Sequence, residues 1–459
     1  MTGMRFDEKS FVVELDAKHK YDFLKRVEKY DDSIASAMRI AGYKRINQTE
    51  RTVAFTFGEV TFSRSRWRKG KKTRCPVDEW LGLKKYMRFS PELVCHIAKM
   101  ATAMSYRQVC HFVKEFYRLE ITKDTVLKAV KQAGELLSEK EKFRFWLEEE
   151  PTKKINPKIL YIEGDGVMVK SSDSARDDKR NVDLTHFLVH TGSKKITKNR
   201  YVLENKHEII HTNYDKAKEE LLDYLYNHYE FTDETTLVTN SDNGKGYTKK
   251  VFQEIKKALG IKRHEHFWDP YHLHEKVKIF FKKYPVVLKE LAFEAINTHK
   301  RELMKTVLDT VESLIADGDD EEHYNYFNFR RKILNNFKYT KPAKLRNLSA
   351  KGIGVMESQH RKITYRMKHR GMYWSLKGAY TMSRLIILDR INLVDDLFFG
   401  NWRKEYQYYQ NQRLSVGYLR EAKEQTIFKS RKIFQRAGKF TSLDRQKFKP
   451  NFKFKLASL

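Results

Sequence analysis

Residues 158–269 constrain the fold more than any other stretch. Three runs with strand patterning, KILYIEGDGVMV (158–169), DLTHFLVHTG (183–192) and RYVLENKHEIIHTN (200–213), come first. A helical pattern (214–231), a strand (TTLVTNSD, 235–242), a second helical pattern (245–260) and a last strand (RHEHFWD, 263–269) follow. Three consecutive strands and then alternating helix and strand make a mixed α/β sheet. Within it, the first run is odd: Asp165 stands between Gly164 and Gly166 in an apolar strand, and Glu163 shares its face by period-two alternation. Glycines on both sides weaken a strand without adding packing, unless something must approach the backbone closely. Asp165 is therefore read as functional in preference to a turn residue.

Around this sheet the chain divides into regions. Residues 1–150 are mostly helical, interrupted by RTVAFTFGEVTFSRSRWRKGKKTR (51–74), which reads as a strand pair about Gly58 ending in a basic loop. Ser90 before Pro91 starts a helix, Ser105 with Gln108 forms a capping box, and Thr122 opens a further helix. Helix, short break and helix over about 105–136, with Val109, Phe112, Val113 and Phe116 inward, is compatible with a helix-turn-helix DNA-binding unit. Residues 151–275 and 345–395 belong to the sheet domain, with a charged helical insertion at 276–344 and a basic, aromatic tail at 396–459. A late helix begins after Gly352 and Gly354 and ends at Gly371, a residue suited to a left-handed cap.

The 459 residues carry 91 Lys and Arg against 60 Asp and Glu, a formal charge of +31 that repels itself unless a polyanion neutralises it. Nucleic acid is the partner this implies. No run approaches the roughly 18 apolar residues of a spanning helix, and the N-terminus lacks the apolar core of a secretory signal, so a cytoplasmic protein is expected. Arg64, Arg66, Arg68 and Lys69 in the basic loop, and Arg431, Lys432 and Arg436 in the tail, are the candidate phosphate contacts. Cys75, Cys95 and Cys110 show no CxxC spacing and read as core thiols.

Three carboxylates fall where metal-dependent phosphodiester chemistry needs them: Asp165 in the first strand, Asp242 at the end of the fourth, and Glu357 in the first turn of the late helix. Ends of neighbouring strands in an open sheet share one crevice. Carboxylates brought together there repel, and Mg2+ or Mn2+ relieves the repulsion. Two such ions roughly 3.5–4 Å apart serve an in-line displacement at phosphorus. Singly, Asp242 in SDNG serves equally as a turn residue, and Glu357 as a dipole-favoured helix-start carboxylate. Glu204, Glu208 and Glu275 are rivals for the third position. Glu357 is preferred because Arg361 and Lys368, at i+4 and i+11, share its face. Trp268 and Trp374 read as core residues before base-stacking ones.

YIEGDGVMVK, TNSDNGKGY, HFWDPYHLHEKV and GVMESQHRKITYRMKHRGMYWSLKGA together resemble the DDE transposases of bacterial insertion sequences, the ISLre-type family, itself similar to Mutator-like transposases. The resemblance covers most of the chain. It implies an RNase H-like fold with a helical insertion, metal ligands Asp165, Asp242 and Glu357, and near-site residues Asp269 and His272 from DPYH. His272 then orients site or substrate, or simply packs; Glu163 is an accessory carboxylate or a charge at the sheet edge. The function implied is DNA transposition: Mg2+-dependent hydrolysis at the element ends, then strand transfer, by a homo-oligomer on double-stranded DNA. A nuclease without joining activity and a non-catalytic DNA-binding relative are the alternatives.

Overall fold

The computed structural model describes residues 6–144, 154–173, 181–198, 200–244, 246–316, 319–369 and 371–411. These form two compact units, one of residues 6–144 with 381–411 and one of 154–380.

The first unit opens on α1 (Glu8–Ile40), whose N-cap Asp7 accepts the backbone N–H groups of Lys9 and Ser10. Its C-terminal half packs on a hairpin of β1 (Lys44–Phe55) and β2 (Gly58–Lys69), extended by the short β3 (Lys72–Arg74). The shared core is Val27, Val53, Phe55, Val60 and Phe62, with Val77 from α2 (Pro76–Trp80). Helices α3 (Pro91–Ala103), α4 (Tyr106–Tyr117) and α5 (Lys123–Arg144) follow. Ser90 caps α3 through Leu93 N, and Ser105 and Gln108 cap α4 reciprocally, as their sequence positions predict. Of the four residues expected to point inward on α4, Val109 and Val113 are buried, while Phe112 and Phe116 are exposed and stack on each other at 4.9 Å. Their ring-on-ring contact hides part of each face from water without needing a core. Cys95 is buried, Cys75 and Cys110 are half-buried, and all three are free thiols.

The second unit is a five-stranded mixed sheet in the order β10-β9-β4-β5-β8. The central β4 (Ile159–Lys170) is antiparallel to β5 (Asn181–His190), which is antiparallel to β8 (His207–His211). On its other side β4 is parallel to β9 (Thr236–Ser241), and β9 to β10 (Arg263–Trp268). The stretch 200–213, expected as one strand, is two. Its first half, β7 (Arg200–Glu204), pairs with β6 (Gly192–Thr197) in a separate hairpin, and only its second half, β8, joins the sheet. The break is Asn205, whose φ of 49° is left-handed, a conformation Asn tolerates and a continuous strand does not.

Helices α6 (Tyr214–His228) and α7 (Lys249–Leu259) cover one face, burying Leu221, Leu225, Phe252 and Ile255 against Leu160, Ile162, Phe187 and Leu237. After β10 the chain forms α8 (Pro270–Phe280), α9 (Val286–Asn297), α10 (Arg301–Glu312) and α11 (Asp320–Asn336) around a core that includes Trp268, so this indole packs as expected. It then returns to the opposite face of the sheet, where Tyr161, Val238 and Phe267 meet Ala343, Leu348 and Ile353. There α12 (Met356–Met367) lies against β4. The helix α13 (Leu376–Arg390) carries the chain out of this unit. Residues 381–411 group with the first unit instead of ending the sheet domain at 395, and α14 (Val394–Phe399) and α15 (Trp402–Asn411) occupy the start of the expected tail. Among the described residues no helix is long and apolar enough to cross a membrane.

Candidate active site

Alternation along β4 sorts its residues onto two faces. Leu160 and Ile162 point toward α6 and α7. So does Gly164, where an added Cβ would come within 2.8 Å of both the Phe187 and Tyr247 rings. The glycine is thus demanded by packing behind the strand, and a Cβ on Gly166 would meet the Asp183 carboxylate at 2.9 Å. Neither glycine leaves open space beside the backbone: the groups that approach it closely are the Phe187 and Tyr247 rings and the Asp183 carboxylate.

The other face carries Tyr161, Glu163 and Asp165. Glu163 is 1% exposed, yet its carboxylate is fully engaged. It accepts the backbone N–H groups of Gly354 (2.7 Å), Val355 (3.3 Å) and Met356 (2.9 Å), the first turn of α12. Val355, the N-cap residue of that helix, makes no side-chain cap of its own, so the strand supplies one. Burial raises the Glu163 pKa to about 7 even though the three donors pull it down. It is neither an accessory carboxylate in the open nor an edge charge: it bolts to β4 the helix that carries Glu357.

Asp165 Oδ1 accepts Gly166 N at 2.8 Å, and Oδ2 lies 3.7 Å from His272 Nε2 and 3.8 Å from His360 Nδ1. Burial raises its pKa, but the two imidazoles outweigh that and hold the carboxyl below its ordinary range. In return, Asp165 raises the His272 pKa. His360 is more deeply buried and is pushed down to about 4, with the neighbouring His186 adding to the effect.

Asp242 follows directly on β9. The β4–β9 register ends at Glu163 opposite Asn240, so Asp165, still on β4, and Asp242, just past the end of β9, each lie two residues beyond the last paired position. Asp242 Oδ1 accepts Gly244 N at 2.6 Å. Its carbonyl oxygen meets Lys276 Nζ at 3.4 Å. Lys276 and His272 are four apart on α8, on one face. That helix is set by Asp269, which accepts His272 N at 3.1 Å and Asn240 Nδ2 at 2.9 Å and so ties the N-terminus of α8 to β9. Asp269 is therefore a buried cap, and His272 faces Asp165.

Glu357 is exposed in the first turn of α12, and its charge contributes to raising the Tyr271 pKa behind the larger effect of the Tyr271–Glu275 bond. Arg361 and Lys368 are exposed on α12 and at its C-terminal end. The rival carboxylates have other duties. Glu208 is locked in a buried network with His186 (3.1 Å), Lys206 (2.8 Å) and Lys362. Glu275 bonds Tyr271, and Glu204 lies on the separate β6–β7 hairpin.

Of the basic candidates, Arg64 is half-buried and engaged with Asp78 at 2.9 Å and with Thr49, so it holds the hairpin together. Arg66 is half-buried on β2, whereas Arg68 and Lys69 are exposed. Arg431, Lys432 and Arg436 lie outside the described residues. Sequence reasoning missed Lys276 and His360. Both were within reach of helical spacing, at i+4 from His272 and i+3 from Glu357.

Among the described residues no three Asp, Glu, His or Cys side chains converge as a ready metal site. The donor chemistry nevertheless fits a hard cation. Asp165 Oδ2 has only the two imidazoles, beyond hydrogen-bond distance. Asp242 bonds a protein donor through Oδ1, which leaves carboxylate oxygen at both residues for Mg2+ or Mn2+, ions that take oxygen ligands.

A family model described as "Uncharacterised protein family (UPF0236)" matches residues 3–395. A relative from Streptococcus gallolyticus, named "UPF0236 protein in vanSb 3'region", is 28% identical over 387 residues, covering 83% of this chain and 81% of that protein.

Proposed function

The chain belongs to the uncharacterised protein family UPF0236, and from that premise we propose that it is a DDE-type transposase. In this reading it cuts phosphodiesters at the ends of a DNA element and joins them to target DNA. The observation that carries the proposal is that Asp165 on β4 and Asp242, the residue just after the parallel β9, each lie two positions beyond the last paired residues Glu163 and Asn240, with Glu357 on a helix capped by Glu163 from β4. An RNase H-like classification of the sheet is part of the reading. Its support is the strand order, with β4 at the centre, β5 antiparallel to it and β8 antiparallel to β5 on one side, and β9 and β10 parallel to β4 on the other.

Asp165, Asp242 and Glu357 would hold one or two Mg2+ or Mn2+ ions, which when bound polarise phosphoryl oxygens and lower the pKa of an attacking hydroxyl. The protein's own groups do the rest. His272 orients the Asp165 carboxylate, Lys276 brings a positive charge beside Asp242, and Arg361 and Lys368 offer phosphate contacts on the exposed face of α12. Water attacks phosphorus first and releases a 3′-hydroxyl; that hydroxyl then attacks a target phosphodiester and displaces its 3′ oxygen. Two ends processed together imply a homo-oligomer on double-stranded DNA.

The test is full-length protein with labelled duplex carrying the element's ends and Mg2+. Strand-transfer products are expected. Asp165→Asn, Asp242→Asn and Glu357→Gln should each lower the rate at least roughly 100-fold, beyond what loss of an outer-shell partner costs. Cleavage without joining would leave a nuclease, and unchanged cleavage in all three variants would remove the catalytic reading.

A further inference from the structure

The hairpin of β6 (Gly192–Thr197) and β7 (Arg200–Glu204) stands apart from the five-stranded sheet. No residue of either strand is buried, and a two-stranded hairpin draws little stability from its own pairing in water. Packing therefore gives no account of its side chains. Their charge is almost all of one sign: Lys194 and Lys195 on β6, Lys198 just after it and Arg200 on β7 are exposed, and the one carboxylate, Glu204, sits opposite Gly192 at the root. Among the described residues none of these four cations has a hydrogen-bond or ion-pair partner. Between them Ile196, Tyr201 and Val202 are exposed apolar side chains.

Strand pairing sorts these residues by face. Tyr201 opposes Lys195 and Val202 opposes Lys194, while Arg200, two residues before Val202, shares its face. Lys351 Nζ lies 3.8 Å above the Tyr201 ring centre, and Ser193 Oγ donates to the Lys351 carbonyl at 3.2 Å. The Tyr201 face is thus held against the segment that leads into α12, the helix of Glu357. The opposite face presents Lys194, Val202 and Arg200. An occupant of that face must bring negative charge to both edges of the ribbon and apolar surface between them. A second copy of the ribbon would bring the same cations and be repelled. Duplex DNA complements it in charge and in shape, because the major groove, about 12 Å wide, admits a two-stranded ribbon, with thymine methyl groups on its floor. At about 3.3 Å per residue, β6 is long enough to lie along that groove for roughly 20 Å.

We infer that the β6–β7 ribbon enters the major groove of the duplex whose phosphodiester is cut, with Lys194 and Arg200 on phosphates of the groove walls and Val202 toward the base edges. The inference rests on the reading of the chain as one that acts on DNA. It adds a duplex grip within the unit that holds the three carboxylates, apart from any helix-turn-helix contact.

The test uses the full-length chain in EDTA, so that binding is read without cleavage, and a short duplex in which 5-iododeoxyuridine replaces thymidine and places its reactive atom in the major groove. Irradiation should crosslink the duplex within residues 192–204, identified by mass spectrometry of the digested chain, and the single strand should crosslink there far less. In fluorescence anisotropy over a range of salt, the double variant Lys194→Glu with Arg200→Glu should lower the slope of log affinity against log salt by about two, one for each lost phosphate contact. At about 100 mM salt that corresponds to roughly 50-fold weaker binding. Lys194→Arg with Arg200→Lys should bind as the parent does, and both variants should keep the parent melting temperature, since the replaced side chains are exposed. A duplex that crosslinks only outside 192–204, an unchanged salt slope in the Glu variant, or a single strand that crosslinks as well as the duplex would overturn the inference. If the parent cuts and joins DNA with Mg2+ while these results fail, the ribbon's role falls and the transposase reading stands. If the ribbon crosslinks as expected but the parent never cuts, the catalytic reading falls and the ribbon's role stands.

Discussion

At the residue scale, Glu163 and Gly164 show how two neighbours in one strand serve opposite faces. Glu163 satisfies three backbone donors at a buried helix start. Glu163→Ala should therefore cost at least about 1–3 kcal/mol, the penalty of one orphaned buried donor, measured as a shift in the urea midpoint. It should also slow DNA cleavage by loosening α12, with Glu163→Gln intermediate because its amide oxygen still accepts. Gly164→Ala probes the other face. Its methyl group would sit 2.8 Å from two packed rings, and overpacking of this kind costs about 1–3 kcal/mol. Thermal denaturation should register that loss while Mg2+-dependent cleavage by the molecules that remain folded changes little. An unaltered melting temperature would contradict the packing explanation. The sequence made both residues conspicuous but could not assign them, because it does not say which elements lie above and below the strand.

At the element scale, α12 is fixed twice, by Glu163 at its N-terminus and by Glu208 of β8 through Lys362. Burial raises the Glu208 pKa, but His186, Lys362 and Lys206 outweigh it and hold the group well below the usual carboxylate range. A depressed folded-state pKa means stability that is present above the unfolded value, near 4.5, and is lost as pH falls toward the folded value. The Glu208→Gln variant should accordingly be less stable than the parent by about 3 kcal/mol at pH 7, in the range for a broken buried ion pair. The gap should narrow steadily below pH 4.5 in chemical denaturation at each pH; a constant gap would rule out the ionic account. Helix starts were legible because Ser90, Ser105 and Thr122 act locally, through backbone groups a few residues away. The split of 200–213 was not, since whether a strand stays in a sheet depends on its partners: β7 found β6, and β8 found β5.

At the scale of the whole molecule, a charge of +31 makes any DNA complex an ion-exchange reaction. Raising salt from 50 to 200 mM should weaken binding roughly 10^3-fold or more if six or more phosphates are neutralised, a titration that anisotropy follows directly. A flat salt response would argue against DNA as the partner. Arg64 is unsuited to a leading part in that interface, since Asp78 and Thr49 already occupy it; Arg68 and Lys69 are exposed on the same strand and are held only by single backbone carbonyls, of Gly70 at 2.9 Å and Ala41 at 2.8 Å. The division into units also departs from linear order, since residues 381–411 rejoin a unit begun near the N-terminus.

The sequence by itself determined the alternation of helices and strands from 214 to 269, the caps, the excess of positive charge and the three carboxylates worth asking about. Those are properties of residue type and short-range spacing, which operate within a turn or two of the chain. Only the tertiary structure decided that Glu163 caps a helix almost two hundred residues away, that Gly164 makes room for two rings, that Glu208 is already ion-paired, and that Lys276 stands beside Asp242. Each depends on which distant segment packs where, a matter settled by the burial of whole faces and visible in no local pattern.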